Sequence, residues 1–186
     1  MERVSDTSET TLVELTTKGN KQAFSSLVEP HIGRLIALAA RMLGSPSQAE
    51  DAVQDGLASV WVTRHRLDPG KAIGPYLTTI VLNRCRDRLR RRKVADFFGF
   101  AGTDEVYSIA DAAPDPESLA ASREEFRLVE AEIGRLPLRL REALLLVSVE
   151  GLSQAEAAQL LGTTEKAIET RVYRARNRLK ERFEKL

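Results

Sequence analysis

The chain has 186 residues, of which 42% are hydrophobic and 5% aromatic, and its formal net charge is +1. That length suits one or two small domains. It contains no apolar run long enough to span a membrane, and its single cysteine, Cys85, excludes an internal disulfide.

A reducing, cytoplasmic setting follows from the cysteine usage, and the polar, acidic N-terminus is unlike a signal peptide. His31 and His65 stand without cysteine partners at metal-ligand spacing, so neither a metal nor a cofactor is expected.

In chain order, residues 10–17 read as a short amphipathic helix ended by Lys18-Gly19-Asn20. Residues 21–43 carry apolar side chains at helical spacing, including Phe24, Leu27, Val28, Ile32, Leu35, Ile36 and Met42, with Pro30 as a point of kinking or splitting. Gly44-Ser45-Pro46 breaks that pattern, and Ser47-Gln-Ala-Glu50 has the spacing of a capping box opening a helix to about His65. Residues 67–70, Leu-Asp-Pro-Gly, form a turn. Gly74-Pro75 opens a long helix to about Lys93 with an apolar stripe of Leu77, Ile80, Val81, Cys85 and Leu89. Within that helix Cys85 reads as a small buried residue rather than a redox sensor.

Residues 94–120 read as an acidic linker. It contains Gly99, Gly102, Pro114 and Pro116, and a Phe97-Phe98-Gly99-Phe100 cluster that either docks on a partner or folds back on a domain. Helical patterning resumes around Glu117 and runs to Gly134. Strand-like alternation is absent, so the expected fold is all-α: two small helical domains, 1–93 and 121–186, joined by the acidic linker.

The C-terminal fifty residues are the most specific. After Leu136-Pro137, the capping box Ser153-Gln-Ala-Glu156 starts a short helix, Gly162 ends it, and Thr164 caps a third helix to about Glu184. Two helices across a tight glycine turn form a helix-turn-helix of the kind that places its second helix in the DNA major groove. In that second helix Ile168, Val172, Ala175 and Leu179 share one stripe, while Lys166, Thr170, Tyr173, Arg174 and Asn177 take the opposite face with Glu169 and Arg171 on its flanks.

Charge is distributed in blocks. Residues 64–93 carry ten basic and two acidic residues, and residues 94–126 carry one basic and eight acidic. Alternation of this kind points to separate surfaces for separate partners. Arg84, Arg86, Arg88, Arg90, Arg91, Arg92 and Lys93 crowd the end of the long helix, favouring phosphate, while Tyr76 can stack on an unpaired base and Asn83 can bond a base edge. Glu50, Asp51 and Asp55 open the middle helix, followed by Val53, Leu57, Val60 and Trp61; its exposed face is either ordinary dipole and capping chemistry or a protein-docking surface.

These residues together resemble the extracytoplasmic-function (group 4) sigma factors of bacterial RNA polymerase, over nearly the whole chain. Residues 49–61, AEDAVQDGLASVW, resemble the family's polymerase-binding helix. Residues 76–83, YLTTIVLN, with Arg84, Asp87 and the following arginines, resemble its −10 reading segment. Residues 136–156 and 170–176 resemble its −35 reading domain. The resemblance implies a non-enzymatic initiation factor that binds the polymerase clamp helices and flap. It further implies that the factor reads and helps melt the −10 element, reads duplex −35 DNA and is regulated by an anti-sigma factor, without membrane insertion.

Carried over by position, the polymerase-binding residues are Asp51, Gln54, Asp55, Leu57 and Trp61. The −10 residues are Lys71, Tyr76, Asn83, Arg84, Asp87, Arg88 and Arg91. The −35 residues are Thr164, Lys166, Glu169, Thr170, Arg171, Tyr173 and Arg174. Tyr76 stands where the family usually has tryptophan, and Glu169 stands where a basic residue is common. Glu169 either accepts from a cytosine amino group or pairs locally with Lys166. Rival readings are another helix-turn-helix transcription regulator, which would need an α/β receiver with a phosphorylatable aspartate, a nucleic-acid-processing enzyme, which would need a carboxylate or nucleophile cluster, and a protein-binding bundle, which would leave the basic segments without a role.

Overall fold

The computed structural model describes residues 8–98 and 118–184, and for 118–126 the backbone only. Its order is α1 (Glu9–Thr17), α2 (Lys21–Leu43), α3 (Pro46–Val62), a 3₁₀ turn at Arg64–Arg66, α4 (Ile73–Phe97), α5 (Ser118–Arg135), α6 (Leu138–Ser148), α7 (Gln154–Leu161) and α8 (Glu165–Phe183). Helices α1–α4 pack together and α6–α8 pack together, with α5 in contact with both α2 and α8. No strand occurs among the described residues, nor any helix long and apolar enough to cross a membrane.

Local chemistry explains most of the boundaries. The Ser8, Asn20 and Thr164 side chains each accept from a backbone N–H three residues on, satisfying donors that the helix itself leaves open. Ser153 and Glu156 make the full capping box: Glu156 N–H donates to Ser153 Oγ at 3.2 Å, and Ser153 N–H donates to Glu156 Oε2 at 2.8 Å. Gly162 ends α7 at φ 62°, a left-handed conformation that side chains with a Cβ resist.

Three boundaries and one expected interruption differ from expectation. The α3 cap is Ser45, not Ser47: Ser45 Oγ accepts from Gln48 N–H at 3.4 Å, and Pro46 takes the first helical position. Helix α3 ends at Val62, and residues 64–66 tighten into the 3₁₀ turn. Pro30 does not split α2, which runs unbroken from Lys21 to Leu43. Helix α4 continues to Phe97, past the expected end at Lys93, so residues 94–97 leave the expected linker for α4. Phe97 and Phe98 meet edge to face at 5.4 Å and stay exposed. Gly99, Phe100 and the rest of the acidic stretch to residue 117 lie outside the described residues.

The first core is built on Leu35, Leu38, Met42, Val60, Leu77 and Leu82, and the second on Leu145, Leu146 and Ile168. Gly56 lets α3 lie close on α4, since a Cβ there would meet Ile80 and Val81 methyls at 3.4 Å. The two are continuous, their buried apolar side chains forming one cluster, and polar contacts cross between them as well. Arg141 of α6 is buried and donates to the Met42 carbonyl of the first domain, to the Gly134 carbonyl, and to the Leu136 carbonyl at 3.2 Å. Arg86 of α4 meets Glu142 at 2.5 Å, Arg34 of α2 meets Glu150 at 3.1 Å, and Arg41 meets Glu130 at 3.7 Å.

Glu150 gains Coulombic attraction from Arg34, but its buried oxygen makes no aligned hydrogen bond. Burial raises its carboxyl above the ordinary value of 4.5, against a smaller opposing pull from Arg34 and Arg41. The folded state therefore holds this proton more tightly than the unfolded chain does. Its stabilising contribution is complete below the unfolded pKa and is lost as pH rises through the raised folded value. Replacing Glu150 with glutamine removes the titration, so the melting temperature of E150Q minus that of the parent chain should grow more positive from about pH 4 to pH 7, measured by circular dichroism.

Candidate functional site

Helix α4 presents three distinct faces on one rod. At about 100° per residue, Tyr76, Asn83 and Asp87 fall within roughly 40° of one another, opposite the buried Leu77–Val81–Cys85 stripe. Tyr76 and Asn83 are exposed. On one flank lie Arg84, Arg88 and Arg91, and Arg88 is drawn to α3, 2.7 Å from Asp55 and 3.7 Å from Asp51. On the other flank Arg86 donates to Asn83 Oδ1 at 2.8 Å and to Glu142 of the second domain. Arg86, Arg90, Arg92 and Lys93 line a cavity of about 1170 Å³ between the domains. The arginine cluster read as one surface is thus divided between two.

The start of α4 is held by a contact that the sequence did not suggest. Ala72 at the cap position has no side-chain oxygen, and Glu9 of α1 supplies one, accepting from Ile73 N–H at 2.8 Å. The preceding turn is set by Asp68, which accepts from Gly70 N–H at 2.9 Å and pairs with Lys71 at 3.4 Å. The Gly70 bond, then Lys71, hold the Asp68 carboxyl below its ordinary value. Lys71 and Tyr76 therefore border a structured turn rather than a loose loop.

Of the expected polymerase-binding residues, Gln54, Leu57 and Trp61 line a shallow apolar groove of about 440 Å³, while Asp51 and Asp55 face Arg88 instead. Phe24, Ile32 and Ile36 of α2 complete the groove and were not singled out for it. Their helical spacing was visible, but which of α2's apolar residues face α3 is a tertiary fact. Phe24 and Trp61 rings are 5.3 Å apart, and the Arg64 guanidinium covers the indole at 4.6 Å.

On α8 the apolar stripe packs inward as read: Ile168, Val172 and Ala175 are buried. Lys166, Glu169, Tyr173 and Arg174 are exposed, and Thr170 is half-buried with its hydroxyl donating to the Lys166 carbonyl at 2.8 Å. Lys166 and Glu169 pair at 2.8 Å, which is the local alternative for Glu169. Thr164 acts first as the cap of α8, and half-buried Arg171 reaches back to Thr163 at 3.5 Å.

Similarity to known proteins follows the same division. Residues 27–94 match Sigma-70 region 2 and residues 126–179 match Sigma-70, region 4. The RNA polymerase sigma factor NccH of Alcaligenes xylosoxydans xylosoxydans is 39% identical over 87% of this chain and 87% of its own. The chain belongs to the extracytoplasmic-function sigma factors of RNA polymerase. The ECF RNA polymerase sigma factor SigM of Mycobacterium tuberculosis is 33% identical over 87% of this chain and 77% of its own. Among solved structures, CnrH in complex with the cytosolic domain of CnrY superposes with TM-score 0.69 at 30% identity, covering 95% of this chain and 97% of that one. The sigma factor RpoE bound to the anti-sigma factor NepR from Bartonella quintana gives TM-score 0.69 at 28% identity, over 86% and 96%. As a sigma factor the chain directs transcription initiation.

Cys85 sits under the basic face of α4, fully buried. Burial pushes its thiol up to about 12, against smaller opposing pulls from Arg88 and Arg86. Because the thiolate is the reactive form, iodoacetamide at pH 8 should leave the native protein unmodified and alkylate it fully in urea, as read by mass spectrometry.

Proposed function

We propose that this sigma factor docks on core polymerase through the Trp61 groove, holds unpaired −10 bases against Tyr76 and Asn83, and reads −35 duplex with the outer face of α8. The observation that carries this reading is the face of α4 on which exposed Tyr76 and Asn83 align with half-buried Asp87, flanked on both sides by arginines. An aromatic ring beside a hydrogen-bonding amide suits an unstacked base, and the flanking guanidinium groups suit its phosphates. The polymerase supplies the chemistry, and the factor itself is non-enzymatic. The relatives solved with CnrY and with an anti-sigma factor support an anti-sigma partner for this chain as well.

The defining experiment is run-off transcription by core polymerase plus this chain on genomic fragments, with start-site mapping. A defined set of starts that requires the chain is expected. Starts that do not depend on it would overturn the reading. On those promoters, Tyr76→Ala should lower open-complex formation at least about tenfold, since a stacked base contributes roughly 1–3 kcal/mol. Trp61→Ala should weaken assembly with core by about 1–3 kcal/mol, the cost of a buried aromatic anchor, without changing affinity for free DNA. Removing Arg174 should lower the salt slope of −35 binding by about one.

Glu169 has its own test. Its ion pair with Lys166 is exposed and contributes at most about 1 kcal/mol, so it can be exchanged for a base contact. On single-base variants of the −35 element, Glu169→Ala should erase a preference for cytosine at one position, worth about 1–3 kcal/mol. An unchanged base preference would leave Glu169 to its pair with Lys166.

A further inference from the structure

Trp61 is the chain's one tryptophan, and it is held from two sides. From α2 the Phe24 ring tilts against it at 5.3 Å. From the 3₁₀ turn after α3 the Arg64 guanidinium lies 4.6 Å from the indole centroid. The same guanidinium donates through Nη1 to the Trp61 carbonyl at 3.0 Å. That carbonyl belongs to the last turn of α3, where a helix leaves its C=O groups without intrahelical donors. Arg64 therefore grips one residue twice, at its backbone and at its ring.

Arg64 forgoes a hydrogen bond to keep this position. Its Nε is buried and has no hydrogen-bond partner among the described residues. An unsatisfied buried donor is unfavourable, and a half-buried arginine has the stem to swing into water. The indole face, which attracts a cation, is what the guanidinium keeps instead. The turn between α1 and α2 backs it, since a Cβ on Gly19 would lie 3.7 Å from both Nε and Nη2.

The held ring forms one wall of the apolar groove, with Phe24, Ile32, Ile36 and Leu57. A half-buried tryptophan free to turn would leave that wall unformed, and a partner would have to order it on arrival. We propose that Arg64 is the positioning residue of this groove: it fixes Trp61 in the docking orientation before a partner arrives. The functional half of the proposal rests on the assignment of the groove to core polymerase, and the grip itself does not. Two other roles for an arginine here differ in outcome. If it acted only as a positive charge at the end of α3, lysine would serve as well. If it touched the polymerase directly, its loss would count even without Trp61.

The test uses the full chain, in which tryptophan emission reports Trp61 alone. Arg64→Lys keeps the charge and loses the planar fork. Arg64→Met keeps an unbranched stem and loses the charge. Circular dichroism verifies folding, and either variant that folds suffices for the emission measurement. Each should show lower Trp61 anisotropy and stronger quenching by acrylamide than the parent chain. Affinity for core polymerase, titrated with the labelled chain, should weaken about threefold to tenfold, the effect of leaving one large side chain to be ordered on binding. In a Trp61→Ala background the same Arg64 substitutions should change affinity no further, because the two residues act as one unit.

Unchanged anisotropy and quenching would overturn the grip. A lysine variant equal to the parent in emission and affinity overturns it too, since charge alone would then suffice. A released indole with unchanged affinity overturns the positioning role. So does an equal loss of affinity in the Trp61→Ala background, because Arg64 would then meet the polymerase itself. If Trp61→Ala alone leaves affinity for core unchanged, the docking assignment fails and takes the functional half with it, while the grip still stands or falls by the emission.

Discussion

Arg141 is the residue around which the two halves of the molecule are arranged. A guanidinium cannot shed its charge inside a protein, and burying one without partners costs several kcal/mol. Here the carbonyls of Gly134 and Leu136, at the end of α5 and the turn after it, and of Met42, in the last turn of α2, accept its protons. These carbonyls are available because a helix end leaves its last C=O groups without intrahelical donors. The turn between α5 and α6 and the last turn of α2 are thus stitched by one side chain. Burial holds the guanidinium below its usual pKa range, and neighbouring Glu142 pulls the other way. The carboxylate that meets Arg86 is therefore also part of what makes Arg141 tolerable.

From that junction the demands on α4 become intelligible. Its Leu77–Cys85 side fills the first core, so it cannot rotate. Its opposite side carries exposed Tyr76 and Asn83. Both flanks are cationic, and such a helix would repel itself if nothing compensated the charge. Asp51 and Asp55 compensate on one flank and Glu142 on the other. The acidic start of α3, ambiguous between helix-dipole chemistry and partner docking, takes on a third role as counter-charge for Arg88. Asp51 and Asp55 are 60% exposed, so that role is weak enough to yield to another partner.

What the sequence made legible was local or periodic. The helix-turn-helix could be read residue by residue because its signals act over three or four positions: Ser153 with Glu156, Gly162 at positive φ, and Thr164 before the α8 stripe. The bundle of α1–α4 was legible from apolar spacing. The misses have two causes: a choice between neighbouring local signals, and competition settled by distant contacts. Ser45 and Ser47 are both able to cap, and Pro46, suited to the first helical position, settled it. Helix α4 had no cap of its own because Glu9, sixty-four residues earlier, provides one. Arg86 looked like any other arginine of its cluster. Only the approach of α6 distinguishes it, and nothing at positions 86 or 142 announces the pairing.

The two kinds of surface differ in what water and salt do to them. The Trp61 groove is apolar, walled by Phe24, Ile32, Ile36 and Leu57. On the proposed assignment, docking there would draw its affinity from surface removed from water, which added salt leaves intact or strengthens. Binding of DNA by the α4 flanks and the outer face of α8 would draw on phosphate neutralisation, which weakens steeply with salt. A factor built this way would remain on a protein partner under conditions where free DNA is released. On that reading docking through the groove comes first, and the cationic faces act where a partner has already brought them to a promoter.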